Sequence, residues 1–507
     1  MAFDPQKGTE VPVLPLSDFM AYAETAGLSV TIVVPTKDFL SEATDANGDR
    51  TPEFDEAALS KFVTDVSTGV YGDVTIDAFE LGNEYWGSGE MSSVEYGRLS
   101  SKMATVINET LTSLETSHPA TSEIDIVVQA GTNFNFAGLS DRYDHLDSNE
   151  AKLAALTADY GLEAKDDHTF VSGAVNWTGV ANTLISREFD TSEEQEALDG
   201  VVNHVYSREP AVPGTRDFSL NAIENSWISQ FPELDIYITE WNQKSATGAF
   251  GENDYGLKQA HEMLNIVEAF MEAGVDNAYV WPVLQNTKNA LAYGKEFEDL
   301  TPGGEMFGMM ERELVGQQML DFSQNYDQTE LSFPDLDVHG FGSENKLVLY
   351  LASTSNAAQS SQVDLSGLFS TGATMDVTYL GVAPGENPGA VNATADVEKV
   401  NGLDASTGTF TNGVLNVDLA PYEIMQVVVN DPTWTPDMAN LWSGEAGAIS
   451  NEAESEVVLP TIDPPPETDF PMDDESDVAA DDGGMDAGGG MEWLIALLPL
   501  LLVVGLV

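Results

Sequence analysis

Two glutamates stand where apolar segments run out. VTIDAFELGNE ends in Asn83 and Glu84, and LDIYITEWN carries Glu240, Trp241 and Asn242 at its close. Between them NHVYS supplies His204 and Tyr206, two residues apart, and NAYVWPVLQ carries Trp281. A pair of carboxylates is suited to breaking an acetal: one protonates the leaving oxygen while the other attacks the anomeric carbon. Indole faces suit the C–H face of a sugar ring. Trp86 and Trp241, with Asn133 after IDIVVQAGT and Asn242, stand close enough in sequence to the same strand ends to be substrate contacts. Glu80 reads as a structural, hydrogen-bonded carboxylate.

These residues must be held by rigid elements, and the pattern supplies them. Continuous Val/Ile-rich runs (LSVTIVVPT, VTIDAFELGN, IDIVVQAGT, DGVVNHVYS, LDIYITEWN, NAYVWPVLQ) alternate with helical segments. Helix signals include Gly27 as a C-terminal stop and Ser92 with Glu95 at capping-box spacing. Parallel strands buried on both faces give such runs. More than five β/α units predict a (β/α)8 TIM barrel, whose active site lies at the C-terminal strand ends. Six strands are found, so the first two are expected upstream of Met1. From about residue 330 short alternating strands (KLVLYLAST, MDVTYLGVA, GVLNVDLA, EIMQVVVN) predict an antiparallel β-sandwich. The expected domains are an N-terminally incomplete barrel over 1–325, a sandwich over 326–431, a disordered acidic linker over 432–490, and a hydrophobic C-terminal anchor or sorting segment over 491–507.

The order and spacing of ELGNE, NHVYS and ITEWN resemble the clan A retaining glycoside hydrolases, nearest to the β-xylosidases, α-L-arabinofuranosidases and heparanase-like β-glucuronidases. The resemblance covers roughly residues 15–320, and PYEIMQVVV is similar to the closing strand of the accompanying sandwich. In that clan the Asn-Glu pair closes the fourth barrel strand and the second glutamate closes the seventh. The resemblance implies that Glu84 is the general acid/base and Glu240 the nucleophile. It further implies that Asn83 binds the sugar 2-hydroxyl, Tyr206 orients Glu240, His204 lies in the glycone subsite and Trp281 forms its floor. Retention requires carboxyls about 5–5.5 Å apart. The activity so implied is hydrolysis of poly- or oligosaccharides by double displacement. The other reading is a non-catalytic carbohydrate-binding surface protein, or an inactive fragment of such an enzyme.

The chain has 507 residues, 85 acidic against 19 basic, for a formal charge of -66. Such a charge repels phosphate backbones, which excludes nucleic acid as a partner, and suits solubility in salty water. The absence of cysteine excludes thiol catalysis and disulfides. The N-terminus shows no signal-peptide pattern. WLIALLPLLLVVGLV at the C-terminus is short for a membrane span but suggests membrane attachment and an extracellular or cell-surface location. No cofactor is required by the carboxylate chemistry. In DANGDRTPEFDE, Asp45, Asn47, Asp49, Thr51 and Glu56 occupy EF-hand-like positions for a structural calcium, with Arg50 where that loop needs glycine.

Overall fold

A computed structural model describes residues 15–442 apart from 88, 164, 209–213, 246–250, 285–286, 295–296, 321–334, 370–374, 404–409 and 412. It adds three short stretches at 2–4, 9–11 and 503–505. The described residues form two compact units: those within Met1–His204 and Phe218–Thr239, and those within Val205–Asp217 and Glu240–Val457. Their boundaries fall inside two strands, which pass from one unit to the other.

In the first unit helix α1 (Leu16–Ala26) ends at Gly27, whose φ of 68° is the left-handed stop its sequence predicts. Strand β1 (Val30–Val34) is followed by a hairpin, β2 (Leu40–Thr44) and β3 (Arg50–Pro52), and then by α2 (Glu56–Ser67). The hairpin is an element the sequence reading took for a loop. Next come β4 (Ile76–Leu81), α3 (Ser93–Leu114), β5 (Asp125–Gln129), α4 (Trp177–Ser186), β6 (Gly200–Ser207) and β7 (Asp235–Gln243). Strands β1, β4, β5 and β6 pair in parallel in that order, and β7 follows β6 in the sheet. Parallel neighbours need a crossover of a dozen or so residues, which the helices provide. Ala78, Val127, Val202 and Tyr237, one from each of β4 to β7, form a cluster no more than 1% exposed. The capping box of α3 is present in full, with Ser92 Oγ accepting from Glu95 N and Glu95 Oε2 accepting from Ser92 N.

The second unit holds the ends of β6 and β7, then β8 (Asn277–Val280) beside β7. Helices α5 (Leu257–Glu272) and α6 (Pro302–Leu314) complete its β/α part. The sandwich follows, with β9 (Leu336–Ser343), β10 (Lys346–Ser353), β11 (Gln359–Asp364), β12 (Met375–Val382), β13 (Ala395–Leu403), β14 (Val414–Leu419) and β15 (Ile424–Asn430). One sheet runs β9-β10-β15-β12-β13 and the other pairs β11 with β14, all antiparallel. Alternation puts Leu347, Leu349 and Leu351 of β10 and Met425, Val427 and Val429 of β15 on one face. There they meet Val363, Leu415, Val417 and Leu419 of the second sheet. Each such buried side chain contributes about 1.5–3 kcal/mol of transfer free energy.

The six β/α strands are the six read from sequence, and the sandwich lies where it was expected. One boundary moves. Residues 432–442, read as the start of a disordered linker, belong to the sandwich: Trp434 bridges Phe369, and Pro436–Trp442 is a helix with Met438 in the core. Trp434 and Trp442 pack against that core, which outweighs the acidic, proline-rich composition. The remaining linker lies outside the described residues, as does nearly all of the apolar C-terminal run. Of that run, Val503–Gly505 pairs antiparallel with Asn277–Tyr279. Among the described residues no helix is long and apolar enough to cross a membrane.

Candidate active site

Glu84 sits three residues beyond β4, on a turn that needs special backbone. Gly82 has φ 83°, and a Cβ there would lie 2.8 Å from Thr36 Oγ1, so glycine is required on both counts. Glu84 itself has φ 47°, a left-handed conformation unusual for a residue other than glycine. Strain of about 1–3 kcal/mol at one residue persists only when neighbours over-determine the backbone. Tyr85 does so. It is fully buried, stacks on Tyr96 at 4.2 Å, donates its N–H to Gln129 Oε1, and exchanges hydrogen bonds through its hydroxyl with Ser93 Oγ and Thr132 N. The Glu84 side chain emerges only 14% exposed, with Oε1 3.2 Å from His204 Nδ1. Trp86 stands edge-on to the His204 ring, centroids 6.1 Å apart. Asn83, half-buried, lies beside them in the chain.

Glu80, in β4 itself, is 2% exposed. Its Oε1 accepts from Gln129 Nε2 and Thr239 Oγ1, both at 3.3 Å. That is the structural carboxylate expected, and the turn at Gly82 breaks the strand alternation that would have put it on one face with Glu84.

Glu240 has a different setting. It lies within β7, 8% exposed. The Tyr206 hydroxyl donates to its Oε2 at 2.6 Å. Tyr206 comes from β6, two residues after His204, and the intervening Val205 is fully buried. Trp281 follows β8 directly and remains partly exposed; its N–H donates to Trp241 O at 3.1 Å.

Three of the candidate contacts turn out to be structural. Trp241 is 2% exposed and packs against Phe270 of α5 and Phe307 of α6. Its ring is core and offers no face to a sugar. Asn133 spends its amide on Ser140, accepting from the backbone N and donating to Oγ, both at 3.0 Å. Asn242 is fully buried and donates to the carbonyls of Trp281 and Asn289, which fixes the segment after β8. In each case the sequence placed the residue near a strand end; the direction of Trp241 and Asn242 depended on partners distant in the chain, and that of Asn133 on Ser140 seven residues on.

The EF-hand-like residues lie on the β2–β3 hairpin. Asp45 Oδ1 accepts from Asn47 N and Asp49 N to close the turn, and its Oδ2 pairs with Arg98. Asn47 donates to Asp159 O. Asp49 is fully buried and bonded to Arg142, Tyr160 and Ser92. Thr51 contacts Ser41, and Glu56 pairs with Lys102. A calcium ion placed there would have to displace Arg98, Arg142 and Lys102 from these carboxylates. Arg50, at the position where the loop needs glycine, pairs with Glu95 and so ties the hairpin to the capping box of α3.

Sequence reading missed Tyr85 and Gln129, which lock the Glu84 turn. No local signal could have found them, because their partnership spans 44 residues of chain.

No family model matches the chain, and no curated protein does. Among solved structures it is similar to a glycoside hydrolase family 30 subfamily 8 xylanase from Clostridium acetobutylicum, at 11% identity over 82% of this chain and 83% of that one, with a TM-score of 0.46. It is also similar to CelM2, a bifunctional glucanase-xylanase from a metagenome library (12% identity, 82% and 84% covered, TM-score 0.48). A third is the α-L-arabinofuranosidase of Thermotoga maritima (14% identity, 82% and 78% covered, TM-score 0.45). At these identities and scores the likenesses carry no weight for activity, which rests on the residues themselves.

Proposed function

We propose that the chain is a retaining glycoside hydrolase acting on poly- or oligosaccharides outside the cell or at its surface. Glu84 serves as general acid/base and Glu240 as nucleophile. The observation that carries this reading is the strand β6. Its His204 is at hydrogen-bond distance from Glu84 and its Tyr206 donates to Glu240. Residues two apart on a strand share a face, spaced by roughly 7 Å, and each of the two carboxylates takes its partner from this strand.

In the first step Glu240 attacks the anomeric carbon, the C–O bond to the leaving group breaks, and the Glu84 proton goes to the departing oxygen. In the second, Glu84 takes a proton from water as its oxygen attacks the same carbon, and the Glu240 ester bond breaks. Tyr206 fixes the rotation of the nucleophile carboxylate. His204 holds the Glu84 carboxylate in place through its Nδ1. Asn83 and the partly exposed Trp86 and Trp281 are positioned on the same strand ends to bind the sugar.

The test is trapping by a panel of 2-fluoro aryl glycosides, followed by peptide mass spectrometry. Turnover of one aryl glycoside with the label on Glu240 is expected. A label on any other residue sinks the assignment. Carbohydrate binding without turnover across the panel, by a chain shown to be folded, would instead favour the non-catalytic reading.

A further inference from the structure

Away from those carboxylates, the second unit holds a cluster that the proposed chemistry does not use. His261 and Glu268 lie two helical turns apart on α5, and so on one face. Asp337 and His339 lie two apart on β9. His339 is fully buried and His261 is 4% exposed. His261 Nε2 is 2.8 Å from Asp337 Oδ2, and His339 Nε2 is 3.4 Å from the same oxygen. One donor atom from each of the three residues lies within 4.8 Å of the others. The two imidazoles are inclined at 74°.

Two further observations point to a ligand. Asp337 Oδ1 is buried with no hydrogen-bond partner among the described residues, and His339 Nε2, also buried, has only its 3.4 Å approach to Asp337 Oδ2. Buried polar atoms are rarely left so. The other nitrogen of His339, Nδ1, is meanwhile held at 2.7 Å by Glu268 Oε2. That carboxylate orients the ring so that Nε2 faces Asp337, as in the outer shell of a metal site, and an ion there would take the place of the Nε2 proton.

We propose that His261 Nε2, His339 Nε2 and Asp337 bind a divalent first-row transition ion, zinc being the best match, with Glu268 as the carboxylate that orients His339. Two imidazoles and a carboxylate suit zinc. Tetrahedral bonds of about 2.0–2.1 Å separate ligand atoms by roughly 3.3 Å, and the two observed separations from Asp337 Oδ2 bracket that value. A water would complete the tetrahedron as the fourth ligand. The ion would replace a proton shared among these groups and would clamp α5 to β9, giving it a structural role.

The test uses the full chain, treated with chelator and titrated with Co2+ alone. A single equivalent giving the intense visible absorption of tetrahedral cobalt, bleached by added Zn2+, is expected. His261→Gln and Asp337→Asn should weaken binding by more than about tenfold, and Glu268→Gln by about 10–100-fold. The wild-type titration needs no variant to fold. No tetrahedral spectrum from the folded wild-type chain overturns the site. Binding retained in His261→Gln but lost in His204→Gln also overturns it, by placing the ion at Glu84 instead.

Discussion

The two ends of the parallel strands carry the same chemical group in opposite circumstances. At the C-terminal ends each glutamate has its own partner, His204 for Glu84 and the Tyr206 hydroxyl for Glu240. At the N-terminal ends Asp125 begins β5, Asp235 begins β7 and Asp199 immediately precedes β6. There, burial together with the neighbouring charges of Asp125 and Asp235 pushes the Asp199 carboxyl up to about 6, against the backbone N–H of Ile126 that favours its charge. One end gives its two carboxylates separate partners, and the other crowds them. In β/α barrels the C-terminal end is where catalysis resides and the opposite end is where stability does. Substitutions should therefore divide cleanly: activity without stability at one end, stability without activity at the other.

The largest break should come from Glu240→Ala. Loss of a nucleophile that acts as part of a unit costs on the order of 10⁴-fold or more in kcat. Hydrolysis of the best aryl glycoside should vanish while the thermal melt stays close to wild type. Activity that survives, or a chain that unfolds, would erase the division. Glu84→Ala should cost less, about 10²–10⁴-fold, and the loss should depend on the aglycone. An alkyl glycoside, whose leaving oxygen needs the proton, should lose most; a nitrophenyl glycoside should lose least. A loss independent of leaving group removes Glu84 from the acid role. Tyr206→Phe deletes one hydrogen bond to a charged group, worth about 1.5–3 kcal/mol. A kcat reduced by roughly 10–100-fold with KM little changed is expected, and a change confined to KM would make Tyr206 a substrate contact instead.

Much of this division was legible in the residues. The apolar runs located six parallel strands because buried strands have no polar face to interrupt them. The strand ends then named Glu84, Glu240, His204 and Tyr206, because β/α topology fixes where a strand stops. Direction was not legible. Trp241 and Asn242 read as contacts, and both proved to be buried structural groups whose partners on α5, α6 and beyond β8 lie at least 17 residues away. The β2–β3 hairpin was hidden because its turn, DANGD, has the acidic spacing of an ion-binding loop. The guanidinium groups that occupy those carboxylates come from Arg98 and Arg142, far along the chain. The cluster of His261, Asp337 and His339 was equally invisible, since its halves lie on a helix and a strand 76 residues apart.

The smallest effect is the one that tests the other end. Asp199 in the folded chain titrates at about 6, above the value of about 3.9 for an unfolded aspartate. The folded state therefore holds its proton more tightly. The stabilisation is complete below the unfolded value and is lost as pH rises through the folded one. Asp199→Asn keeps an oxygen for Ile126 N–H and removes the charge. Urea unfolding should show variant and wild type nearly equal near about pH 4. The variant should then gain relative to wild type as pH rises to neutrality, by at most about 3 kcal/mol. Its kcat should not change, since the proposed substrate contacts lie at the other end of the strands. A variant less stable than wild type at neutral pH would mean that the Asp199 charge is held by the fold, and the contrast between the two strand ends would then fail at its base.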